Sequence, residues 1–178
     1  MDWSRAKNIL IAMLLIADLV IGGFYLSSVH TEKAEAKSKI EAAEYYLGLN
    51  SIELQCEIPS APSKLAVVSV SFLGESDPEA SCCLDFGGRK LEVAGLAEGA
   101  ITELKSGIGK VEIRSCAYAL IQAAGDLPSA GCNKITGIEL VYYVSRLGYT
   151  ETEGEDTALP YWKVVSGAKS FYYAAFNN

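Results

Sequence analysis

Histidine is almost absent from this chain, which has a single imidazole at His30. A Ser-His-Asp or Cys-His catalytic pair therefore cannot be assembled in the region that follows, and zinc would lack imidazole ligands. No H-E-x-x-H motif is present, and the segment Gly107–Lys110 has neither the spacing nor the hydroxyl of a phosphate-binding loop. We predict that the protein is not an enzyme and has no catalytic residues, no cofactor and no metal site.

Basic residues are also few, since 15 Lys and Arg stand against 22 Asp and Glu and give a formal net charge of −7. Near the N-terminus Arg5 and Lys7 balance Asp2 and Asp18, so the acidic surplus belongs to the rest of the chain. An acidic domain without a basic stripe argues against binding to nucleic acid or to an anionic lipid surface.

The sequence has five cysteines but no C-x-x-C spacing. Cys82 and Cys83 are adjacent, which is a poor geometry for two ligands of one zinc ion. The odd number leaves at least one thiol unpaired if the others form disulfides. We expect small buried hydrophobic side chains, with one disulfide as the alternative. The set is Cys56, Cys82, Cys83, Cys116 and Cys132.

One apolar run of eighteen residues, Ile9–Leu26, carries a single acid near its centre, Asp18. A helix of this length is about 27 Å long, just enough to cross the hydrocarbon core of a bilayer. The run exceeds a usual signal-peptide core, and no clear cleavage site follows it. We therefore predict a retained transmembrane helix over residues 9–26, a cytoplasmic tail over 1–8, and an extracytoplasmic domain beyond.

A carboxyl group at mid-membrane depth costs a few kcal/mol (about 2.5–3.5 on insertion scales), which a polar partner on another helix would offset. At helical spacing Asp18 shares one face with four residues, and Gly22 among them lets a neighbouring backbone approach closely. We predict that this face contacts another transmembrane helix. The predicted transmembrane partner-binding residues are Ile11, Leu14, Asp18, Gly22 and Tyr25.

The remainder predicts an α+β domain of antiparallel sheets with helices on one side. A juxtamembrane stalk helix is expected over residues 27–48, followed by a domain over 50–178 with halves near 50–107 and 110–178. Further helices are predicted over Ala97–Lys105 and, capped by Ser115, over Cys116–Ala124. Two hairpins are expected, one with its turn at Gly87-Gly88 and one with its turn in Ser166–Lys169.

The acidic run between Glu151 and Asp156 does not have the spacing of a calcium loop, so we expect a solvated connection there. Nine of the seventeen aromatic residues lie in the last 37 positions. Core packing accounts for about half of them, because side chains alternate between the faces of a strand. An exposed set would provide a partner or ligand surface. The tentative members are Tyr161, Trp162, Tyr172 and Tyr173.

Both ends of the chain resemble one family. The start Met1–Lys7 (MDWSRAK), followed by an apolar helix with an internal acid, is similar to the start of the YycI family. The segments Leu159–Val165 (LPYWKVV) and Lys169–Tyr173 (KSFYY) resemble the P-x-W-x-V…YY ending of YycI and YycH-like domains, which PepSY-like domains share more widely.

The YycI family comprises bitopic regulators of the WalK (YycG) two-component system in Gram-positive bacteria. The resemblance implies an extracytoplasmic α+β domain and a membrane helix that contacts the sensor histidine kinase, together with a YycH-like partner and a role in cell-wall homeostasis. The alternatives are an extracytoplasmic module that binds a cell-wall or peptide ligand, and a PepSY-like inhibitor of a hydrolase.

Overall fold

A computed structural model describes Leu14, Asp18, Val20, Ile21 and residues 34–177. By contacts the chain divides into two units, Met1–Lys39 and Ile40–Asn178. Within the described part, no helix is both long enough and apolar enough to span a bilayer. The predicted transmembrane run lies, apart from the four individual residues named above, outside the described residues.

The described elements are two helices and nine strands, joined in places by short turns. A 3-10 turn at Glu98–Ala100 precedes the fifth strand. In chain order they are α1 (34–49), β1 (Glu53–Leu54), β2 (Lys64–Leu73), β3 (Ser81–Phe86), β4 (Arg89–Ala94), β5 (Ile101–Glu112), α2 (Cys116–Ser129), β6 (Lys134–Ile135), β7 (Gly137–Ser145), β8 (Glu153–Ser166) and β9 (Lys169–Ala174).

Strand β8 organises a curled seven-stranded sheet with the order β3-β4-β7-β8-β2-β5, in which β9 also pairs with β8. The first part of β8 pairs with β2, and the rest lies between β7 and β9. All these pairs are antiparallel except β4 with β7. Strands β1 and β6 form a separate two-stranded parallel sheet. The predicted α+β class with a mainly antiparallel sheet is therefore confirmed.

The core lies on one face of the sheet and has two parts. Alternation along β8 places Ala158, Trp162 and Val164 on the same face, and all three are fully buried. Both helices cover Trp162 and Val164, so the helices share one side of the sheet. Ala158 belongs to a second cluster, which contains residues of β2, β4 and β7 and is enclosed by the curl of the sheet.

Helix α1 belongs to the second unit from Ile40 onward, where Ala43 and Leu47 are buried in the core. The helix ends after position 49, and the amide of Ile52 donates to the carbonyl of Leu47 at 2.9 Å. Earlier in the helix Glu35 and Lys39 form an exposed i,i+4 ion pair at 3.7 Å. The described part of the predicted stalk is thus helical, and its last turns are part of the domain.

Helix α2 begins as predicted and ends later. The Ser115 hydroxyl accepts a hydrogen bond from the Ala117 amide at 3.3 Å, which is an N-cap. The helix continues through Gly125 to Ser129, although Gly125 was expected to end it. Buried contacts of Leu127 with the core stabilise the additional turn. Pro128 lies in that turn and removes only one amide donor.

Both predicted hairpins are present. Gly87 and Gly88 have φ angles of 61° and 77°, as a two-residue type I′ turn requires, and they join β3 to β4. Gly167, with φ 61°, opens the turn between β8 and β9. The acidic run is not a free connection, because β8 already begins at Glu153.

The helix predicted over Ala97–Lys105 is wrong, since only Glu98–Ala100 is helical, as a 3-10 turn, and β5 follows directly. Two register shifts occur where β5 pairs with β2. Such bulges interrupt the alternation of buried and exposed side chains along a strand. As a result, the half-buried residues of β5 recur every third position, at Ile101, Leu104 and Gly107. This spacing imitates that of a helix.

Candidate functional site

The four aromatic residues predicted as a surface divide between the two faces of the sheet. Trp162 is fully buried and Tyr173 is 8% exposed, and both lie in the helix-covered core. Trp162 also donates from Nε1 to the Arg114 carbonyl at 3.0 Å. These two residues are therefore not part of a surface, because strand alternation turns them inward. Tyr161 and Tyr172 are half-buried and occupy the opposite, outer face.

On this outer face an ion pair forms the centre of a polar cluster. Lys163 Nζ lies 2.6 Å from Glu92 Oε1, and the Tyr172 hydroxyl donates to Glu92 Oε2 at 2.5 Å. The side chain of Lys163 is 19% exposed and that of Glu92 is 11% exposed. Strands β4, β8 and β9 each supply one member. Because the pair is mostly removed from water, each charge is stabilised chiefly by the other charge and, for Glu92, by the hydrogen bond from Tyr172.

Aromatic rings extend the cluster along the sheet. Tyr143 stacks on Tyr172 with ring centroids 4.3 Å apart and planes at 17°. Tyr161 meets Tyr143 edge to face at 5.4 Å, and Phe176 meets Tyr161 in the same way at 5.8 Å. This row of rings is rigid, since each ring is held by the next. It forms an apolar border beside the ion pair.

A groove of about 340 Å³ opens above the cluster. Its walls include Cys83, Lys90, Glu92, Tyr143, Lys163 and Tyr172. Lys90 forms its own exposed ion pair with Glu139 at 2.8 Å. We name the region formed by Glu92, Tyr143, Lys163 and Tyr172 the outer polar patch. It offers hydrogen-bonding groups and aromatic faces to a ligand, which is the composition of a binding surface.

Burial, together with the hydrogen bond to Glu92, raises the pKa of Tyr172. The hydroxyl therefore stays protonated at neutral pH and acts as a donor to the carboxylate. The patch can form hydrogen bonds and stacking contacts with a ligand.

A second buried charge stabilises the start of β8. Arg146 is 2% exposed, and its guanidinium lies 3.8 Å from the centroid of Phe72. The same guanidinium pairs with Asp156 at 2.9 Å and with Glu151 at 3.5 Å. Ser69 donates to the carboxylate of Glu155. Glu151, Glu155 and Asp156 of the acidic run thus have partners within the fold. No cluster of three or more His, Cys, Asp or Glu in the described chain is arranged to hold a metal ion.

All five cysteines are unpaired thiols. Cys83 is exposed at the outer groove, whereas Cys116 is a buried residue in the first turn of α2. Burial raises the pKa of the Cys116 thiol to about 12. Cys116 therefore matches the expectation of a small buried hydrophobic side chain, and Cys83 departs from it.

Two residues of the predicted transmembrane face are described. Leu14 and Asp18 are each helical and exposed, and the prediction that they share one face rests on their spacing of four positions. The other three, Ile11, Gly22 and Tyr25, lie outside the described residues. The contact predicted for this face stays a prediction.

Sequence reasoning missed Glu92, Tyr143 and Lys163 as members of the site. A signal was present for Lys163, which sits between Trp162 and Val164 and must point away from the core that these two fill. No local pattern relates Glu92 to Lys163, because the two meet across β7, which separates β4 from β8.

No family model matches this chain, and neither a curated protein nor a solved structure matches it. The resemblance to the YycI family thus rests on the two end segments quoted above, and it stays a prediction.

Proposed function

We propose that this chain is a membrane-anchored, non-catalytic accessory regulator of a sensor histidine kinase of the WalK type. In this proposal residues 9–26 cross the cell membrane once, the N-terminus is cytoplasmic and the α+β domain is extracytoplasmic. The helix contacts the kinase within the membrane, and the domain contacts the kinase and a YycH-like protein outside it.

The observation that carries the proposal is Asp18 in the middle of the apolar run. A lone carboxyl group in a membrane span carries a free-energy cost of insertion, so its presence indicates a functional role. A continuous helix over residues 9–26 would place Leu14 on the same side as Asp18, and Leu14 is 58% exposed. An exposed apolar side chain beside an acid suits a helix that packs against another helix in lipid.

The domain supports the same proposal through its charges and its surface. Its mostly buried Glu92–Lys163 pair is part of the outer polar patch, which has the donors, acceptors and rings of a recognition surface. A regulator of this kind acts by binding two kinase states with different affinity. Contacts at the membrane helix supply that difference in the mechanism we propose.

The test replaces residues 9–26 with an unrelated apolar helix and leaves the domain unchanged. We expect a change in kinase-dependent transcription, with the domain still exported and folded. The finer variant is Asp18→Leu, which should weaken co-purification with the kinase in detergent at normal expression. Val20→Leu is the matched control, since Val20 is an exposed helical neighbour on another side.

The second candidate function is an extracytoplasmic module that binds a cell-wall or peptide ligand, with the helix as a simple anchor. The groove of about 340 Å³ above the outer polar patch favours it. The same helix replacement separates the two candidates. Unchanged regulation in the chimaera would overturn the transmembrane contact and favour the binding module.

A further inference from the structure

Strand β9 has a free edge in the part of the chain that the structure describes. There it pairs with β8 alone, whereas β8 itself is paired on both sides. Ser166 and Lys169 close the hairpin as partners in register, so Phe171 and Tyr173 direct their amides and carbonyls toward β8. The Ala175 amide continues this pattern by donating to the Pro160 carbonyl at 3.1 Å. Ser170, Tyr172 and Ala174 therefore direct their backbone groups away from the sheet.

Helix α2 forms a wall along this free edge. A groove of about 530 Å³ lies between the two elements, and Tyr118, Gln122 and Asp126 line it at successive turns of the helix. These three positions extend over about 12 Å of helix. The outward-directed groups of β9, from Ser170 to Ala174, extend over about 13 Å of strand. The wall and the edge thus match in length.

The ends of the groove carry opposite charges. Arg114 lies at the end near Ala174, where its backbone amide donates to the Ala175 carbonyl at 2.8 Å. Its guanidinium donates to Asn177 and sits 4.5 Å from the centroid of Tyr118. Asp126 lies one helical turn before Ala130, whose carbonyl accepts from Lys169 at the start of β9. Neither Arg114 nor Asp126 has an ion-pair partner among the described residues.

A buried hydroxyl also lines this groove. Tyr173 is 8% exposed, and its hydroxyl oxygen is buried without a hydrogen-bond partner of normal geometry among the described groups. Burial and the neighbouring Asp126 carboxylate raise the pKa of Tyr173. The hydroxyl lies beside that carboxylate, so a polar group that enters the groove meets both of them.

We propose that the groove between α2 and β9 binds an extended segment of a partner protein, which adds to β9 as an antiparallel strand. The segment carries an acidic side chain opposite Ala175, near Arg114, and a basic side chain four residues later, opposite Phe171 and toward Asp126, because these two positions of β9 face the same side of the sheet as Tyr173 and α2. Two residues at this spacing point to the same face of a strand. Main-chain hydrogen bonds supply affinity and the two charges supply register and direction. The proposal does not depend on the identity of the kinase.

The probe is the peptide acetyl-TETVTKT-amide, which has the acid and the base at the second and sixth positions. It is titrated against the full-length chain in detergent micelles, and binding is followed by the amide resonances of the protein. We expect saturable binding that shifts and protects the amides of Ser170, Tyr172 and Ala174. Backbone N-methylation at the third, fifth and seventh positions should abolish binding, because it removes the donors that face Ala174, Tyr172 and Ser170 of β9.

Charge pairing is tested by double-variant cycles. Arg114→Gln should weaken binding about tenfold, and should have little further effect on a peptide whose acid is replaced by glutamine. Asp126→Asn should behave in the same way toward a peptide whose base is replaced. Arg89→Gln, on the distant β3–β4 hairpin, is the matched control and should leave binding unchanged.

Three outcomes would overturn the proposal. The first is no saturable binding at millimolar peptide, and the second is equal binding of the N-methylated peptide. The third is self-association of the chain that protects Tyr172 and Ala174 without peptide, since the occupant would then be a second copy. The peptide titration does not depend on the result of the membrane-helix chimaera. The strand-binding proposal and the proposed regulatory function can therefore be overturned independently.

Discussion

At the residue scale, Lys163 illustrates how a single position links sequence to surface. Its two neighbours, Trp162 and Val164, are buried, so alternation directs the ammonium group to the outer face, where Glu92 neutralises it. Bringing two charges out of water costs energy, and the pair regains it through a 2.6 Å contact and the Tyr172 hydroxyl. The network is therefore sensitive to the loss of any one member.

We predict that Lys163→Met destabilises the domain by about 2–3 kcal/mol, because Glu92 is then left as a mostly buried, unpaired carboxylate. The double variant Glu92→Leu/Lys163→Met should lose less than the single variant, since both charges are removed together. The measurement is urea unfolding of the full-length chain in detergent, followed by intrinsic fluorescence.

The control for this prediction is Lys90→Met. Lys90 pairs with Glu139 at 2.8 Å, but their side chains are 53% and 46% exposed, so the loss should stay below about 1 kcal/mol. Equal losses at Lys90 and Lys163 would mean that burial of the ion pair contributes nothing to the domain's stability.

At the element scale, the sequence correctly predicted those elements whose ends are determined by their own residues. Gly87-Gly88 predicted its hairpin, and Ser115 predicted the start of α2. The helix expected over Ala97–Lys105 failed because pairing with β2 and its register shifts decide the structure of β5. Gly125 failed to end α2 because core contacts made by Leu127 outweigh the weak helix propensity of glycine.

We predict that Ser115→Ala destabilises the domain by about 1 kcal/mol, because the Ala117 amide loses its acceptor at the start of α2. Ser115→Asp should retain the cap and add a favourable interaction with the helix dipole. Chemical unfolding of the full-length chain measures both. Ser129→Ala, an exposed serine in the last turn of the same helix, serves as the control and should change stability by less than about 0.5 kcal/mol.

At the scale of the whole molecule, the two expected halves are not separate. Strand β2 comes from the first half and β8 from the second, yet the two pair over six residues from Val68 to Leu73. Strand β7 likewise joins β4 to β8. Composition and periodicity predicted the fold class, but the partner of each strand depends on long-range packing. For the same reason the sequence placed Tyr161 and Tyr172 in the site and could not add Glu92.

The packed core as a whole leads to a prediction about alkaline pH. Burial raises the pKa of Cys116 to about 12 from 9.0, and it raises the pKa values of Tyr142, Tyr172 and Tyr173 above 10.0. At a pH between the unfolded-state and folded-state pKa of such a group, the native protein still holds a proton that the unfolded chain has released. The free energy of unfolding therefore falls as pH rises through this range. The contribution of these groups is fully present below about pH 9 and is lost progressively above it.

We therefore expect the urea midpoint of the full-length chain to be nearly constant from pH 7 to about 8.5 and to fall from about pH 9 upward. Cys116→Ala removes the thiol with the large shift, so the decline between about pH 9 and pH 10 should be shallower in the variant, whereas Cys56 and Cys82, whose pKa values burial also raises, retain part of it. The comparison uses the slope with pH, because the smaller side chain also lowers the baseline stability. An equally steep decline between about pH 9 and pH 10 in both proteins would contradict the assignment to Cys116.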